Sequence, residues 1–427
     1  MRKALTVLMT GVLAAALLAI AGSGGAAPDP NAPAAIRFMW WGADQRAKVT
    51  TAAVRAFEAA NPGVAVQVEP TTFDGYFDKL ATQFAANDAP DVIQLTPDKV
   101  LEFAGRGALL DLASIDTSKI DPRLVQIVKT ERGQAGIPAG IGSHVMVANP
   151  RLFVEAGVPM PDDTTWTWAD YRRIAQEITR RTGKEGVFGS QAFGISSNGL
   201  SVWLSQQGKT LWTKDGQIGY EAPDSTGYFQ LLKDMSAEGG LPTPELITEE
   251  LSAPLEQSGI ATGRYALAYA DTSQFSSLVK AAGEDLELLR FPSRTGKAAD
   301  AKMEVRSSMY WIVPARTEHE AAAKKLVNYL VNSPEAGKLL LGDRGVPTNS
   351  AVRDAVRAQL DPASAESVAF IEEISPEARD FVPRAPVGGG NLEEILKRQT
   401  SDVLFGRATP AEAAQRLIDE SRAATRR

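Results

Sequence analysis

Apolar and polar positions switch between two periods along the chain. Ile36-Arg-Phe-Met-Trp-Trp41 is a β-rich run, and residues 44–60 follow with helix formers and with Val54 and Phe57 three apart. Asn61-Pro62-Gly63 then stops the helix. Val64, Val66 and Val68 alternate with Ala65, Gln67 and Glu69, the period-two signal of a strand. A second helix is predicted from Asp74, with Tyr76, Leu80 and Phe84 on one face. Val92-Ile-Gln-Leu95 comes next, behind the Asp88-Ala-Pro-Asp91 turn. Alternating strands and helices predict a parallel sheet with crossover helices.

A second unit begins near Val145-Met-Val-Ala148. Its helix is opened by Thr167-Trp-Ala-Asp170, a capping-box pattern that leads into Tyr171, Ile174, Ala175 and Ile178. Strand-like runs return at residues 286–291 and at Tyr310-Trp-Ile-Val313, each followed by a proline. The end is helical: residues 391–405, Gly406 as a stop, then Thr409-Pro410-Ala411-Glu412, where threonine caps and proline fills the first turn. No long internal repeat interrupts this order.

The first residues have a different pattern. Arg2 and Lys3 precede an uncharged stretch from Ala4 to Ala21, which reads as a secretory signal; Thr6, Thr10 and Gly11 interrupt it too often for a spanning helix. Ile20-Ala-Gly-Ser-Gly-Gly25 resembles a bacterial lipoprotein signal in which Ser23 stands where the lipidated cysteine belongs. A hydroxyl cannot form that thioether, so export without lipid attachment is expected. The signal is assigned to residues 1–27 and a proline-rich tether to residues 28–35.

Length and composition narrow the classes. At 427 residues, two or three domains are expected at roughly 150 residues each. Hydrophobic residues make up 44% and charged residues 23%, the mix of a soluble globular protein. The net charge of −7 comes with no basic block, which argues against nucleic-acid binding. The absence of cysteine excludes disulfides, thiolate metal sites and cysteine nucleophiles, and His144 and His319 are too few and too far apart for a histidine-rich metal site. No phosphate-cradling loop, G-x-S-x-G elbow or H-E-x-x-H helix is present. No metal or cofactor is expected. A glycosidase built on two carboxylates stays open as the enzyme alternative, since 52 acidic residues must place some pairs together.

What the chain offers is aromatic residues beside acids at the ends of predicted strands: Trp40-Trp41 with Asp44, Leu95-Thr96 with Asp98, Tyr269 with Asp271. Ligands of α/β sheets collect at the carboxyl ends of strands. A sugar suits such a place, because its C–H faces pack on flat rings and its hydroxyls bond to carboxylates and arginines. Trp40 reads as core beside Phe38, so strand alternation turns Trp41 to the other face. Asp44 and Asp98 each have a second reading as helix caps, and Tyr76 as part of its helix's apolar stripe. Trp203 and Trp311 have a second reading as core, and His144 reads as structural.

An ordered series of short segments then resembles one family. It includes Trp40-Trp-Gly-Ala-Asp44, Phe57-Glu-Ala-Ala-Asn-Pro-Gly63, Tyr76-Phe-Asp-Lys-Leu-Ala-Thr-Gln83 and Ala89-Pro-Asp-Val-Ile93. Residues 104–112, Gly136-Ile-Pro138, Asn149-Pro-Arg-Leu-Phe153, Trp166-Thr-Trp-Ala-Asp170, Gly263-Arg-Tyr-Ala-Leu267, Trp311-Ile-Val-Pro314 and Arg344-Gly-Val-Pro347 continue it. The series resembles the extracellular solute-binding proteins of ABC sugar importers, of the family 1, maltose-binding-protein-like type. The resemblance implies the two-lobed periplasmic-binding-protein-like α/β fold of type II, each lobe a mostly parallel sheet flanked by helices, with the ligand in the cleft between. It places crossings near residues 139–144, 289–292 and 333–337, so that lobe 1 is 36–142 plus 290–333 and lobe 2 is 143–289 plus 334–427. It carries over Asp44 and Asp98 as sugar-hydroxyl partners and the segments around Trp203, Asp271 and Tyr310 as cleft segments; with the residue-level reading, the ligand residues expected are Trp41, Asp44, Arg46, Tyr76, Asp98, Trp203, Asp271, Tyr310, Trp311 and Arg344. The resemblance also implies no catalysis, a membrane permease as partner and action outside the cytoplasm; the residues carry no signal for an oligomer, and a monomer is expected by default. Leu95, before Thr96, departs from the aromatic that the maltose-type pattern carries there, and residues 383–391 lack an aromatic platform.

Overall fold

The computed structural model describes residues 33–42, 44–73, 75–250, 253–379, 386 and 389–425. The leader with Ser23, most of the tether, Asp74, and residues 383–385 and 387–388 lie outside them.

Strands β1 (Ala34–Trp41), β2 (Val64–Thr71) and β3 (Val92–Leu95) alternate with helices α1 (Asp44–Ala60), α2 (Tyr76–Ala85) and α3 (Pro97–Gly105), in the sequence order expected. A small hairpin, β4 (Lys129–Thr130) with β5 (Gly133–Gln134), precedes β6 (Ile137–Gly142) and β7 (His144–Ala148). The second unit adds β8 (Phe188–Ser190), β9 (Tyr265–Asp271) and β10 (Glu287–Leu289); β11 (Arg306–Ile312) follows.

Besides the β4-β5 hairpin, the described strands form two larger sheets, ordered β2-β1-β3-β11-β6 and β10-β7-β9-β8. β1 pairs in parallel with β2 and β3, and its alternating residues enter two different cores. Phe38 and Trp40 pack on Trp311 and under α1, whereas Met39 and Trp41 face Tyr76, Leu80 and Leu95 under α2 and α3. Trp40 is fully buried, with its ring 4.7 Å from that of Phe38. The second lobe's core gathers Trp166, Trp168, Tyr171, Phe193, Trp203 and Tyr228. The Thr167–Asp170 capping box forms as expected, with Thr167 N donating to Asp170 at 3.0 Å and Asp170 N donating to Thr167 Oγ1 at 3.2 Å. Thr409 and Glu412 form the same reciprocal pair.

The sheets are mixed rather than mostly parallel. β11 runs antiparallel between β3 and β6, and β7 runs antiparallel to both β9 and β10. The cause is topological: β7 leaves the first lobe at the crossing and must run away from it, while β9 and β10 run back towards it.

The lobe boundaries also shift. Phe291, Ala301 and Met303 belong to the second lobe's core, so the return crossing lies at Glu304–Arg306 instead of residues 289–292. The helix Pro334–Leu340 packs on α1 and stays with the first lobe, as does Ser350–Val356 against it. The last crossing therefore falls after residue 356, before the helix Pro362–Ile374 that packs on the second lobe. Gly140 lets the first crossing strand approach residues 344–346, since a Cβ there would overlap the Arg344 carbonyl; Ile141 and Val346 exchange two backbone hydrogen bonds at this point.

Candidate functional site

The strand directions set the position of the cleft. β1, β2, β3 and β6 all end on the side where the chain crosses, because Arg306 at the start of β11 pairs with Gly142 at the end of β6. In the second sheet, β8 and β9 also end there, since Asp271 at the end of β9 pairs with His144 at the start of β7. The carboxyl ends of both sheets thus converge on the crossings, the place where loops are free to hold a ligand. Ser143 in the first crossing is pinned to the end of β9: its N–H donates to Thr272 Oγ1 at 3.0 Å and its carbonyl accepts from Thr272 N at 3.0 Å.

A charged cluster sits where the crossings meet the second lobe. His144 Nδ1 lies 2.8 Å from Glu304 Oε1, and Arg306 Nη2 donates to His144 Nε2 at 2.9 Å. Arginine can only donate, so Nε2 is the acceptor and the neutral ring carries its proton on Nδ1, which donates to Glu304. Arg306 also pairs with Asp271, and Arg379 Nη2 reaches Glu304 Oε2 at 2.6 Å while touching Ser201 and Ser205. Burial alone raises the affinity of Glu304 for a proton, yet Arg379, His144 and Arg306 outweigh it and hold this carboxyl far below the usual range. Asp271 is held low by Arg306 and His144 against the same burial. Burial, reinforced by Arg306, pushes His144 below its ordinary value.

The expected site residues separate into two groups. Trp41 is the last residue of β1 and Asp44 follows it, and Asp98 follows the end of the neighbouring β3, so their backbones share the carboxyl end of the first sheet. Asp44 is exposed on the first turn of α1, and the Asp98 side chain lies outside the described residues. Thr96 is the N-cap residue of α3, so Asp98 falls inside that helix and not at its cap. Trp41 is 8% exposed, edge-on to Tyr76 and Phe73. Asp271 reaches the crossing, where it caps a short turn through Ser273 N at 2.9 Å as well as holding Arg306.

The second group is buried or tied within one lobe. Tyr76 donates its hydroxyl to the Gln94 carbonyl at 2.8 Å, and Tyr310 to the Leu124 carbonyl at 2.9 Å. Trp311 is core. Arg344 lies over the Trp311 ring at 4.9 Å, bonded to Gln94 and Thr50, and burial lowers its pKa to about 9. Arg46 grips Asp343 at 2.9 Å. Trp203 donates to the Asp224 carbonyl at 3.0 Å within the second core. In Tyr76, Tyr310, Arg344, Arg46 and Trp203 the polar atoms have partners inside their own lobe, and Trp311 is enclosed by the first core. Sequence reasoning missed Glu304, Arg306 and Arg379 and set His144 aside. Their one local signal was the pairing of charge with alternation at Glu304-Val-Arg306.

The comparisons agree with this geometry. Residues 52–366 match the family model of bacterial extracellular solute-binding proteins. An uncharacterised lipoprotein of Streptomyces antibioticus is 26% identical over 385 residues, 84% of each chain. A periplasmic solute-binding protein of Pectobacterium atrosepticum superposes with a TM-score of 0.82 at 20% identity, covering 92% of this chain and 99% of that one. A periplasmic oligogalacturonide-binding protein of Yersinia enterocolitica, solved with saturated digalacturonic acid, gives 0.78 at 19% identity over 92% and 99%. Among the described residues no helix is long and apolar enough to cross a membrane. With the family model covering most of the folded chain and both sheets opening onto one set of crossings, the chain belongs to the bacterial extracellular solute-binding proteins.

Proposed function

We propose that the protein captures a carbohydrate in the cleft between its two sheets and delivers it to the permease of an ABC importer. The observation that carries the reading is the convergence of both sets of carboxyl strand ends on the crossings, with Trp41, Asp44 and the Asp98 backbone on one side and Asp271 on the other. A ligand touching both lobes favours the closed form because only that form gives it both sets of contacts. A few charge-assisted hydrogen bonds at about 1.5–3 kcal/mol each, less ordering costs, correspond to micromolar binding near about −8 kcal/mol. The oligogalacturonide binder of the same fold supports a sugar ligand. The protein acts outside the cytoplasmic membrane, as a monomer, with no part for nucleic acid.

The test is a thermal-shift screen over mono- and oligosaccharides followed by calorimetry. A ligand at 100 times its Kd adds about 2.7 kcal/mol to apparent stability. Sugar recovered intact from the complex, and binding weakened more than tenfold by Asp98→Ala, are the expected results. Cleaved sugar would make the chain an enzyme, and no response from any sugar would remove the reading.

A further inference from the structure

Among the described residues Phe73 is one of three large apolar side chains left in solvent, 56% exposed, with Val154 and Phe405. Val154 lies on an outer helix of the second lobe, and the Arg407 guanidinium lies over the Phe405 ring at 4.7 Å. Phe73 differs from both in its place. It stands two residues beyond the end of β2, the edge strand of the first sheet, on the side that faces the crossings. Its loop is anchored by Tyr76 N donating to the Phe73 carbonyl at 3.2 Å. The ring meets Trp41 at 5.8 Å and Phe77 at 5.7 Å, both edge-on, so two fixed aromatics hold it from behind.

β2 and the crossing strand β6 occupy opposite edges of the five-stranded sheet. Four strand spacings separate them, about 19 Å at roughly 4.8 Å each. The charged cluster of His144, Asp271 and Arg306 marks the hinge end of the cleft, and Phe73 marks its mouth. A single sugar ring cannot span the two.

We infer that Phe73 is a stacking platform at the cleft mouth for an outer ring of an oligosaccharide, with Trp41 as the wall behind it. The inference rests on the proposed function and sharpens it, from a carbohydrate of unstated length to a chain of several rings. The exposed flat surface on the first lobe is thereby Phe73, while Trp41, mostly covered, fixes its angle. Ring C–H groups pack on an aromatic face, and a ring already held by neighbours loses little freedom on binding.

The test measures binding of xylotetraose, maltotetraose, arabinotetraose and tetragalacturonate, and of their monosaccharides, to the full mature chain. Wild type should bind one tetrasaccharide with a change in tryptophan fluorescence. Phe73→Ala should weaken that binding about tenfold, equal to 1.4 kcal/mol. Phe73→Leu, which keeps the apolar cover over Trp41 but not the flat ring, should lose as much, and Phe73→Trp should retain affinity. Monosaccharide binding should be weak and indifferent to all three. Tetrasaccharide binding that Phe73→Ala or Phe73→Leu leaves unchanged, or a loss equal for monosaccharide and tetrasaccharide, overturns the inference and leaves the sugar-carrier reading standing. Binding of a monosaccharide alone does the same, and no binding by any sugar overturns both.

Discussion

Replacing Glu304 with glutamine tests whether the charged cluster at the crossings holds the two lobes' junction together. Glu304 lies on the return crossing and accepts from His144 Nδ1 at 2.8 Å and Arg379 Nη2 at 2.6 Å, with Arg306 Nε 3.7 Å away. Its side chain is only 18% exposed. Glutamine keeps the shape but removes the charge, leaving two guanidinium groups with Asp271 as their remaining carboxylate in the cluster. Its amide also points an N–H group at a neighbour that itself donates. Breaking one partner of a buried pair costs about 3–5 kcal/mol, and residual solvent puts Glu304→Gln at the lower end, about 3 kcal/mol. At roughly 2–4 °C per kcal/mol, Tm should fall by roughly 6–12 °C at pH 7. The folded pKa of Glu304 is depressed, so its contribution is present above the unfolded carboxylate range and is lost as pH falls through the folded value. The gap between wild type and variant should therefore persist at pH 5 and close only in strongly acidic solution. Calorimetric melting from pH 3 to pH 8 measures both. A drop under about 1 kcal/mol at pH 7, or a gap that vanishes by pH 6, would refute the reasoning.

Three further outcomes follow from the same contacts. Tyr76→Phe removes a buried hydroxyl from the Gln94 carbonyl and should cost about 1 kcal/mol in urea titration, with sugar affinity unchanged if Tyr76 is core. Thr167→Ala deletes one half of a capping box and should cost about 1 kcal/mol by the same titration. Because burial and Arg306 lower the His144 pKa, the neutral ring stabilises the fold above the ordinary value of 6.5, and this is lost as pH falls below it. Tm should decline below pH 6.5 in step with protonation of unfolded His144, and His144→Asn should flatten that part of the curve; an equal slope in the variant would contradict the assignment.

The local pattern was legible in particular places. The helix expected over residues 44–60 is α1, and the Thr167 and Thr409 boxes close as their spacing requires. Alternation sorted Trp40 into the core and Trp41 to the other face of β1. These succeed because period and capping depend on residues within about one turn or strand of each other. The site was less legible. Tyr76, Tyr310 and Arg344 carry groups suited to a sugar, but partners far along the chain had already claimed them: Gln94, Leu124 and Thr50. Glu304 and Arg379 are 75 residues apart in sequence and meet only after folding.

By itself, then, the amino-acid order determined the alternation of strands and helices, the caps that bound them, the export-like leader and the absence of cysteine chemistry. The tertiary structure decided which strands run antiparallel, where the chain crosses between lobes, and which polar side chains remain free. The division follows from range. Backbone hydrogen bonding and side-chain period are written within a few residues, whereas the partner of a buried charge or hydroxyl is chosen by whichever distant segment packs against it.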